Sequence, residues 1–175
     1  MSNKWIYIAL LGFLVACGEE EEKPVVQPMN WNTQKSGDFN KSLSKKEAAD
    51  IQLYLEMRPD WKMTETGSGL QYWIYKEGDG ESPAPEDFAE IEYEISLLTG
   101  EVCYKTESDE YEEVRVDHSE IESGIQEALK VMQVGDEAKL IVPSHLGHGL
   151  LGDFDKIPPL RSLVIDLKLI GIKNK

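Results

Sequence analysis

Alternating apolar and polar positions predict a β-sheet in the C-terminal part of the chain. Leu70, Tyr72 and Ile74 occupy every second position, and residues 91–97 alternate apolar side chains with glutamates and a serine. Successive side chains of a strand point to opposite faces, so each segment buries one face and exposes the other. The same alternation, interrupted by glycine and proline, predicts strands over these ranges: 70–75, 91–97, 102–104, 114–116, 138–142 and 163–172.

Helical spacing replaces the alternation over residues 121–132. Apolar residues recur there at intervals of three and four, Ser119 or Ser123 is available as the N-cap, and Gly135 follows the end. We therefore expect one short helix whose apolar stripe lies across the inner face of the sheet. An antiparallel sheet covered by one helix is an α+β architecture.

A second helix is predicted before the sheet, over residues 44–62. Ser44 and Glu47 form a capping box, in which the serine oxygen accepts from a first-turn amide and the glutamate reaches back. Ile51 and other apolar residues share one helical face. Pro59 favours an end to the helix, because proline disfavours helical geometry at the residue before it. We expect this N-terminal helical extension to pack on the domain or on a partner.

Residues 1–16 are typical of a bacterial lipoprotein signal peptide. They hold one positive charge, Lys4, followed by an apolar run that is too short to span a bilayer comfortably. Residues 14–17 resemble the lipobox of bacterial lipoproteins, with small or apolar side chains before Cys17. This resemblance implies that Cys17 is acylated, becomes the mature N-terminus and anchors the protein to a membrane. The alternative is an ordinary cleaved signal that has a cysteine near the cut.

Residues 17–43 are predicted to form a flexible tether, because they are polar, contain Pro24 and Pro28 and lack periodicity. The acidic run from Glu19 to Glu22 leaves two interpretations open. It resembles signals that send some bacterial lipoproteins to the outer face of the outer membrane, and it also suits a solvated spacer.

The chain is strongly acidic, with a formal net charge of −15 at pH 7. Removal of residues 1–16 takes away one positive charge and leaves −16. Such a surface repels phosphates, so nucleic acid is excluded as a partner and a lipid anchor would act without electrostatic help. An acylated Cys17 would leave Cys103 as the remaining cysteine, so no internal disulfide is expected.

Several short motifs follow one another in the C-terminal part of the chain. They are Gly69-Leu70-Gln71-Tyr72, Ile91-Glu92-Tyr93, Gly124-Ile125, Gly135-Asp136-Glu137-Ala138 and Ile157-Pro158-Pro159. In this order and at these spacings they resemble FKBP-type peptidyl-prolyl isomerases over roughly residues 63–173. The resemblance implies an FKBP-like curved antiparallel sheet wrapped around one short α-helix, in a domain of residues 63–175.

The same resemblance implies an enzyme that isomerises X-Pro bonds in polypeptide substrates without a cofactor, a metal or a nucleophile. Rotation about an X-Pro bond is slow because it breaks amide resonance. An apolar cradle that takes the prolyl ring and removes water from the amide can lower this barrier. The site should therefore be lined by apolar and aromatic side chains.

The family pattern implies pocket roles for five apolar or aromatic residues. Tyr93 matches the tyrosine at the pocket edge, Ile121 the aliphatic wall and Ile157 the loop isoleucine before the prolines. Ile125 replaces the tryptophan that commonly floors the pocket, and Ile165 replaces a phenylalanine. The floor stays apolar but loses aromatic area.

Other positions depart further from the family pattern. Cys103 and Tyr104 stand where most members have phenylalanine and aspartate, and Val114, or Tyr111 nearby, stands where another phenylalanine is usual. His148 takes the place of the flap tyrosine whose hydroxyl meets the substrate, although an imidazole can still donate a hydrogen bond. These changes predict weaker catalysis than the family norm and poor binding of macrolide inhibitors.

The remaining polar candidates are assigned as follows. Glu122 matches the position whose backbone amide receives a ligand carbonyl, a role that any residue except proline can fill. His145 and His148 have only a loose metal-like spacing and no nearby cysteine, so no zinc site is expected. Cys103 lies in an apolar strand without an evident base, which favours an inert buried thiol over a nucleophile.

Two hypotheses about function remain. The first is a lipid-anchored isomerase that assists folding or assembly of envelope proteins, most like the gliding-motility-associated FKBP-type lipoproteins. The second is the same fold with an eroded active site, acting as a chaperone or as a scaffold of a membrane-anchored envelope complex. The retained Tyr93 and Ile121 favour the first hypothesis, and the lost aromatic residues favour the second.

Overall fold

The computed structural model describes residues 32–107, 110–118 and 121–173. The predicted signal peptide, Cys17 and the first part of the predicted tether lie outside these ranges. Two helices and seven strands follow one another within them, with a short 3-10 helix at Ser144–Leu146. In chain order they are α1 (Thr33–Glu56), β1 (Thr64–Glu65), β2 (Gln71–Lys76), β3 (Phe88–Leu97), β4 (Val102–Lys105), β5 (Glu112–Arg115), α2 (Ser123–Leu129), β6 (Glu137–Val142) and β7 (Leu163–Lys173).

The strands form one antiparallel sheet in the order β1-β2-β6-β7-β3-β4. β5 also pairs with β3, at residues 88–91, whereas β4 pairs with residues 94–96 of the same strand. β3 and β7 pair along their whole length, from Leu97 opposite Leu163 to Phe88 opposite Lys173, with a bulge next to Glu90. The predicted antiparallel sheet is confirmed, and the two-residue strand β1 is an addition that the sequence pattern did not indicate.

α2 lies across the inner face of the sheet, as the FKBP-like fold requires. Ile125, Ala128 and Leu129 on this helix are fully buried. The helix comes close to β6 at Gly124. A Cβ at this position would lie only 2.6 Å from a methyl carbon of Val142. Burial of each large aliphatic side chain in this layer contributes about 1.5–3 kcal/mol.

The prediction of Ser123 as a possible N-cap of α2 is wrong. The helix begins at Ser123 itself, and Glu122 takes the cap position without a side-chain cap hydrogen bond. Ser119, the other candidate, lies outside the described residues. The first-turn amides of Ile125 and Gln126 instead reach the backbone carbonyl of Glu122, at 2.9 Å and 3.2 Å.

The predicted start of the N-terminal helix at Ser44 is also wrong. α1 begins at Thr33, where the Asn32 side chain accepts a hydrogen bond from the Lys35 amide at 2.8 Å. Residues 33–43 are therefore helical rather than part of a tether. The capping-box residues Ser44 and Glu47 lie inside the helix. The helix ends at Glu56, before Pro59 as expected but short of the predicted end at residue 62.

α1 packs on the outer face of the sheet, opposite α2. Ile51 and Tyr54 are the buried residues of this helix, and they form a cluster with Ile141 and Val164. These two strand residues pair with each other across β6 and β7, while their neighbours on either side point into the inner core. Of the helices in the described part of the chain, none has the length and apolarity needed to cross a membrane.

Candidate active site

The predicted pocket residues divide into a buried floor and a partly exposed rim. The floor residues belong to the inner core and are at most 4% exposed; they are Cys103, Val114, Ile125, Ile157 and Ile165. Tyr93, Tyr104 and Ile121 are partly buried and pack against that same core. Of the two alternatives for the missing phenylalanine, Val114 lies in the floor, whereas Tyr111 is 48% exposed. Strands, helix α2 and the β6–β7 loop together bring these residues to the inner side of the sheet.

Tyr93 lies on β3 and donates its hydroxyl hydrogen to a carboxylate oxygen of Glu112 on β5, at 2.7 Å. Burial raises the pKa of Tyr93, and the hydrogen bond to Glu112 raises it further. The phenol therefore stays protonated at physiological pH and remains a hydrogen-bond donor. The sequence analysis did not select Glu112.

Tyr104 on β4 donates its hydroxyl hydrogen to Asp153, a residue that sequence reasoning did not select. This hydrogen bond raises the pKa of Tyr104 to about 12. Burial disfavours the charge of Asp153, but its hydrogen bonds from Tyr104 and from backbone amides outweigh burial and hold the pKa of the carboxyl well below its usual range. The ammonium of Lys156 lies 4.7 Å from the centre of the Tyr104 ring.

Residues 143–162 connect β6 to β7 and form the flap of the site. Within the flap, Asp153 accepts hydrogen bonds from the amides of Asp155 at 2.9 Å and Ile157 at 2.8 Å. The Asp153 amide donates in return to the Ile157 carbonyl at 3.1 Å. Asp153 thus fixes the loop conformation that buries the Ile157 side chain.

Cys103 contacts the same part of the flap, with its sulfur 3.7 Å from the Lys156 carbonyl oxygen. The side chain is 4% exposed. Burial raises the pKa of the thiol, and the nearby Glu101 raises it further. A protonated, buried thiol suits packing rather than nucleophilic attack.

His148 on the flap pairs with the carboxylate of Glu122 at the start of α2, with a ring nitrogen 3.0 Å from an oxygen. The Glu122 side chain is only 9% exposed. Sequence reasoning assigned Glu122 a role through its backbone amide, which stays a prediction. The side-chain contact links the flap to the helix on the opposite wall of the site.

Two cavities lie beside α1, away from the predicted pocket. Their volumes are about 650 Å³ and about 660 Å³, and both are lined by Ser44, Glu47 and His145. Neither is lined by Tyr93, His148 or the other predicted pocket residues. Within the described ranges, no group of three or more His, Cys, Asp or Glu side chains could hold a metal ion.

Comparison with protein families places this region in a known group. The family model for FKBP-type peptidyl-prolyl cis-trans isomerase matches residues 79–170, which include every predicted pocket residue. The chain is 36% identical over 107 residues to a probable FKBP-type peptidyl-prolyl cis-trans isomerase FkpA of Neisseria meningitidis, covering 61% of this chain and 39% of that relative. It is 27% identical over 158 residues to the outer membrane protein MIP of Legionella longbeachae, covering 89% and 67%.

Solved structures agree on the fold. FkpA from Escherichia coli matches with a TM-score of 0.65 and 26% identity, over 79% of this chain and 64% of that one. A peptidyl-prolyl cis-trans isomerase from Pseudomonas syringae pv. tomato matches with a TM-score of 0.66 and 23% identity, over 77% and 96%, which supports the fold alone. The chain spans 39% of the Neisseria relative and 62% of an FkpA from Buchnera aphidicola, so it covers only part of these longer proteins.

Proposed function

The chain belongs to the FKBP-type peptidyl-prolyl cis-trans isomerase family, and on that premise we propose that it accelerates rotation about X-Pro bonds of polypeptides. The observation that carries this proposal is the inner side of the sheet. A buried apolar floor meets a rim that holds two protonated tyrosines and a histidine within the residues that the family model matches.

The chemistry requires no covalent step. The uncatalysed barrier of about 18–20 kcal/mol comes from amide resonance, which is lost when the bond twists. The floor residues are at most 4% exposed, so the rim and flap would have to move to admit the prolyl ring. The ring would then lie in a water-poor environment that favours the twisted amide, and rim donors would hold the carbonyl of the residue before proline. His148 on the flap is the first candidate donor, and its ring would have to leave Glu122 to reach this carbonyl. Tyr93, which stays protonated, is the second.

We infer that turnover is lower than in relatives with an aromatic floor. Ile125 and Ile165 are completely buried, but neither offers the flat ring face of a tryptophan or a phenylalanine. The hydroxyls of Tyr93 and Tyr104 already donate to Glu112 and Asp153. A substrate carbonyl would have to compete with these carboxylates, which weakens its hold in the transition state.

An isomerisation assay tests the proposal. The chain carrying Cys17→Ala, which lacks the proposed acylation site, should speed the cis-to-trans relaxation of a proline peptide. Tyr93→Phe should lower kcat/KM about fivefold, because it removes one hydrogen-bond donor whose net contribution is about 1 kcal/mol. Tyr75→Phe is the matched control, because its hydroxyl also donates to carboxylates but lies on the outer face of the sheet. A parent chain without acceleration would refute the proposal.

We also propose that Cys17 carries lipid and holds the domain at a membrane of the bacterial envelope. The lipobox-like residues before Cys17 support this, as does the similarity to outer membrane protein MIP of Legionella longbeachae. Fractionation of cells that express the parent and Cys17→Ala tests it. The parent should sediment with membranes and the variant should not; equal distribution would refute the anchor.

The second candidate is a chaperone or scaffold with little isomerase activity. It is favoured by exposed apolar side chains on the flap, since Leu150 and Leu151 are each 65% exposed and Phe154 is 85% exposed. Such a surface can hold unfolded chains irrespective of their proline content. Suppressed aggregation of a proline-free client, with no acceleration of a proline-limited refolding reaction, would favour this candidate over the isomerase.

A further inference from the structure

A carboxylate of the N-terminal helix contacts both ends of the flap. One oxygen of Glu47 on α1 accepts hydrogen bonds from the Ser144 amide at 2.6 Å and from the Ser162 hydroxyl at 2.7 Å. Ser144 follows β6 and Ser162 precedes β7, so the two donors stand at the start and the end of the flap. Ser144 is 6% exposed and Ser162 is 5% exposed.

These contacts tie together segments that are distant in sequence. Glu47 is 97 residues from Ser144 and 115 residues from Ser162. Hydrogen bonds to a carboxylate are stronger than those between neutral groups, and a buried amide left without an acceptor is costly. The link therefore resists any displacement of the flap ends away from α1.

The connection continues from Glu47 to the catalytic histidine candidate. The Ser144 carbonyl accepts from the amides of Gly147 at 3.1 Å and Gly149 at 2.7 Å, the two residues that flank His148. The Gly149 carbonyl accepts from the Leu160 amide at 2.9 Å, which joins the two arms of the flap. A continuous set of hydrogen bonds thus leads from α1 to the backbone on both sides of His148.

We propose that Glu47 is a positioning residue of the isomerase site and that α1 is part of the catalytic unit rather than an appended helix. This inference rests on the proposed function, because Glu47 would act by holding the flap, and with it His148, at the distance that a bound X-Pro segment needs. The apolar contacts of Ile51 and Tyr54 attach α1 to the sheet, whereas Glu47 attaches it to the flap.

Three variants of the full chain test this role. Glu47→Ala removes both hydrogen bonds, and Glu47→Gln keeps an oxygen acceptor of the same reach. Asp50→Ala is the control, since it removes an exposed carboxylate from the same helix. Glu47→Ala should lower kcat of proline-peptide isomerisation roughly tenfold with little change in KM, because misplaced groups lose transition-state contacts. Glu47→Gln should restore most of the rate, and Asp50→Ala should match the parent.

Amide hydrogen exchange supplies a readout that needs no turnover. In Glu47→Ala, the amides of Gly147 and Gly149 should exchange roughly tenfold faster, while those of Ile165 and Leu167 in β7 keep the parent rate. Equal rates of amide hydrogen exchange in the flap of Glu47→Ala and Asp50→Ala would overturn the proposal that Glu47 holds the flap. Faster flap exchange with unchanged kcat would overturn the catalytic part. A parent chain without isomerase activity would overturn the proposed function, and the exchange comparison would still decide whether Glu47 holds the flap.

If Glu47→Ala does not fold, Ser162→Ala is the variant that tests whether Glu47 holds the flap. It leaves the Ser144 contact in place and should give a smaller, local rise in flap exchange with a partial loss of kcat. Flap exchange identical to that of Asp50→Ala would then overturn the proposal.

Discussion

At Tyr104 the chain carries a hydroxyl where the family pattern predicted a carboxylate, and Asp153 of the flap accepts the hydrogen bond of this hydroxyl. The proposed polar edge therefore has a donor on β4 and an acceptor on the flap. This pair ties the flap to the sheet, since Asp153 also accepts hydrogen bonds from the amides of Asp155 and Ile157.

Removal of the Tyr104 hydroxyl should loosen the flap without removing any of the buried apolar side chains of the floor. Tyr104→Phe keeps the ring that Lys156 approaches but leaves Asp153 without its phenolic donor. We expect kcat/KM for a proline peptide to fall about fivefold, as for one lost hydrogen bond of about 1 kcal/mol. Tyr111→Phe is the control, because Tyr111 is exposed and outside the floor. Equal rates in the two variants would contradict this role of the Tyr104 hydroxyl.

The charge of Asp153 predicts a dependence of stability on pH. The pKa of its carboxyl is lowered from 3.8 in the folded protein, so near that pH the folded state binds fewer protons than the unfolded chain. Its contribution to stability is then present above about pH 4 and is lost as the pH falls towards the folded value. Asp153→Asn should lower Tm at pH 7, and the difference from the parent should shrink below pH 4. A difference that is constant with pH would contradict this assignment.

At the scale of elements, the flap depends on a tight backbone approach at Gly152. Gly152 has a positive φ of 69°, and a Cβ there would overlap the Ile157 carbonyl oxygen. Only glycine satisfies both conditions without moving the segment that buries Ile157.

Two glycine substitutions on the same loop should therefore differ. Gly149 also has a positive φ, 60°, but a Cβ there would meet no atom within 4 Å. Gly149→Ala should cost about 1–2 kcal/mol from the left-handed conformation alone. Gly152→Ala should cost more and should also lower isomerase activity, because the flap must shift. Urea unfolding and a proline-peptide assay measure the two effects, and equal losses in both variants would contradict the steric explanation.

The sheet and α2 were predictable because their residues keep a regular period over one buried face. The alternation in 91–97 matches the structure. The helical stripe is confirmed over Ser123–Leu129, whereas Ile121 and Met132 at its predicted ends lie outside the helix. The start of α1 was not predictable in this way, since residues 33–42 are exposed all round and leave Asn32 as the local signal. Long-range partners were missed for another reason: contacts such as Tyr104 with Asp153 or Glu47 with Ser144 join distant segments and impose no period on the sequence. The pocket roles themselves stay predictions.

At the scale of the whole molecule, the sheet separates two packed sides. The inner side holds α2, the floor and the rim, while the outer side holds α1 with Ile51 and Tyr54. The flap reaches both sides, because Glu47 of α1 contacts its two ends and its His148 contacts Glu122 at the start of α2. If Glu47 positions the flap as proposed, we expect changes to α1 to act on the proposed site through the flap and not through the inner core.

The net charge of −15 acts on every substrate that approaches this site. Most exposed ion pairs contribute little to stability, but the summed field attracts cations and repels anions. A proline peptide flanked by lysines should have a kcat/KM roughly tenfold above that of the same peptide flanked by glutamates at low salt. The ratio should approach one in 1 M NaCl, where the Debye length falls to about 3 Å. A ratio that does not change with salt would place the preference in local contacts of the pocket, and the overall charge would then have no part in substrate choice.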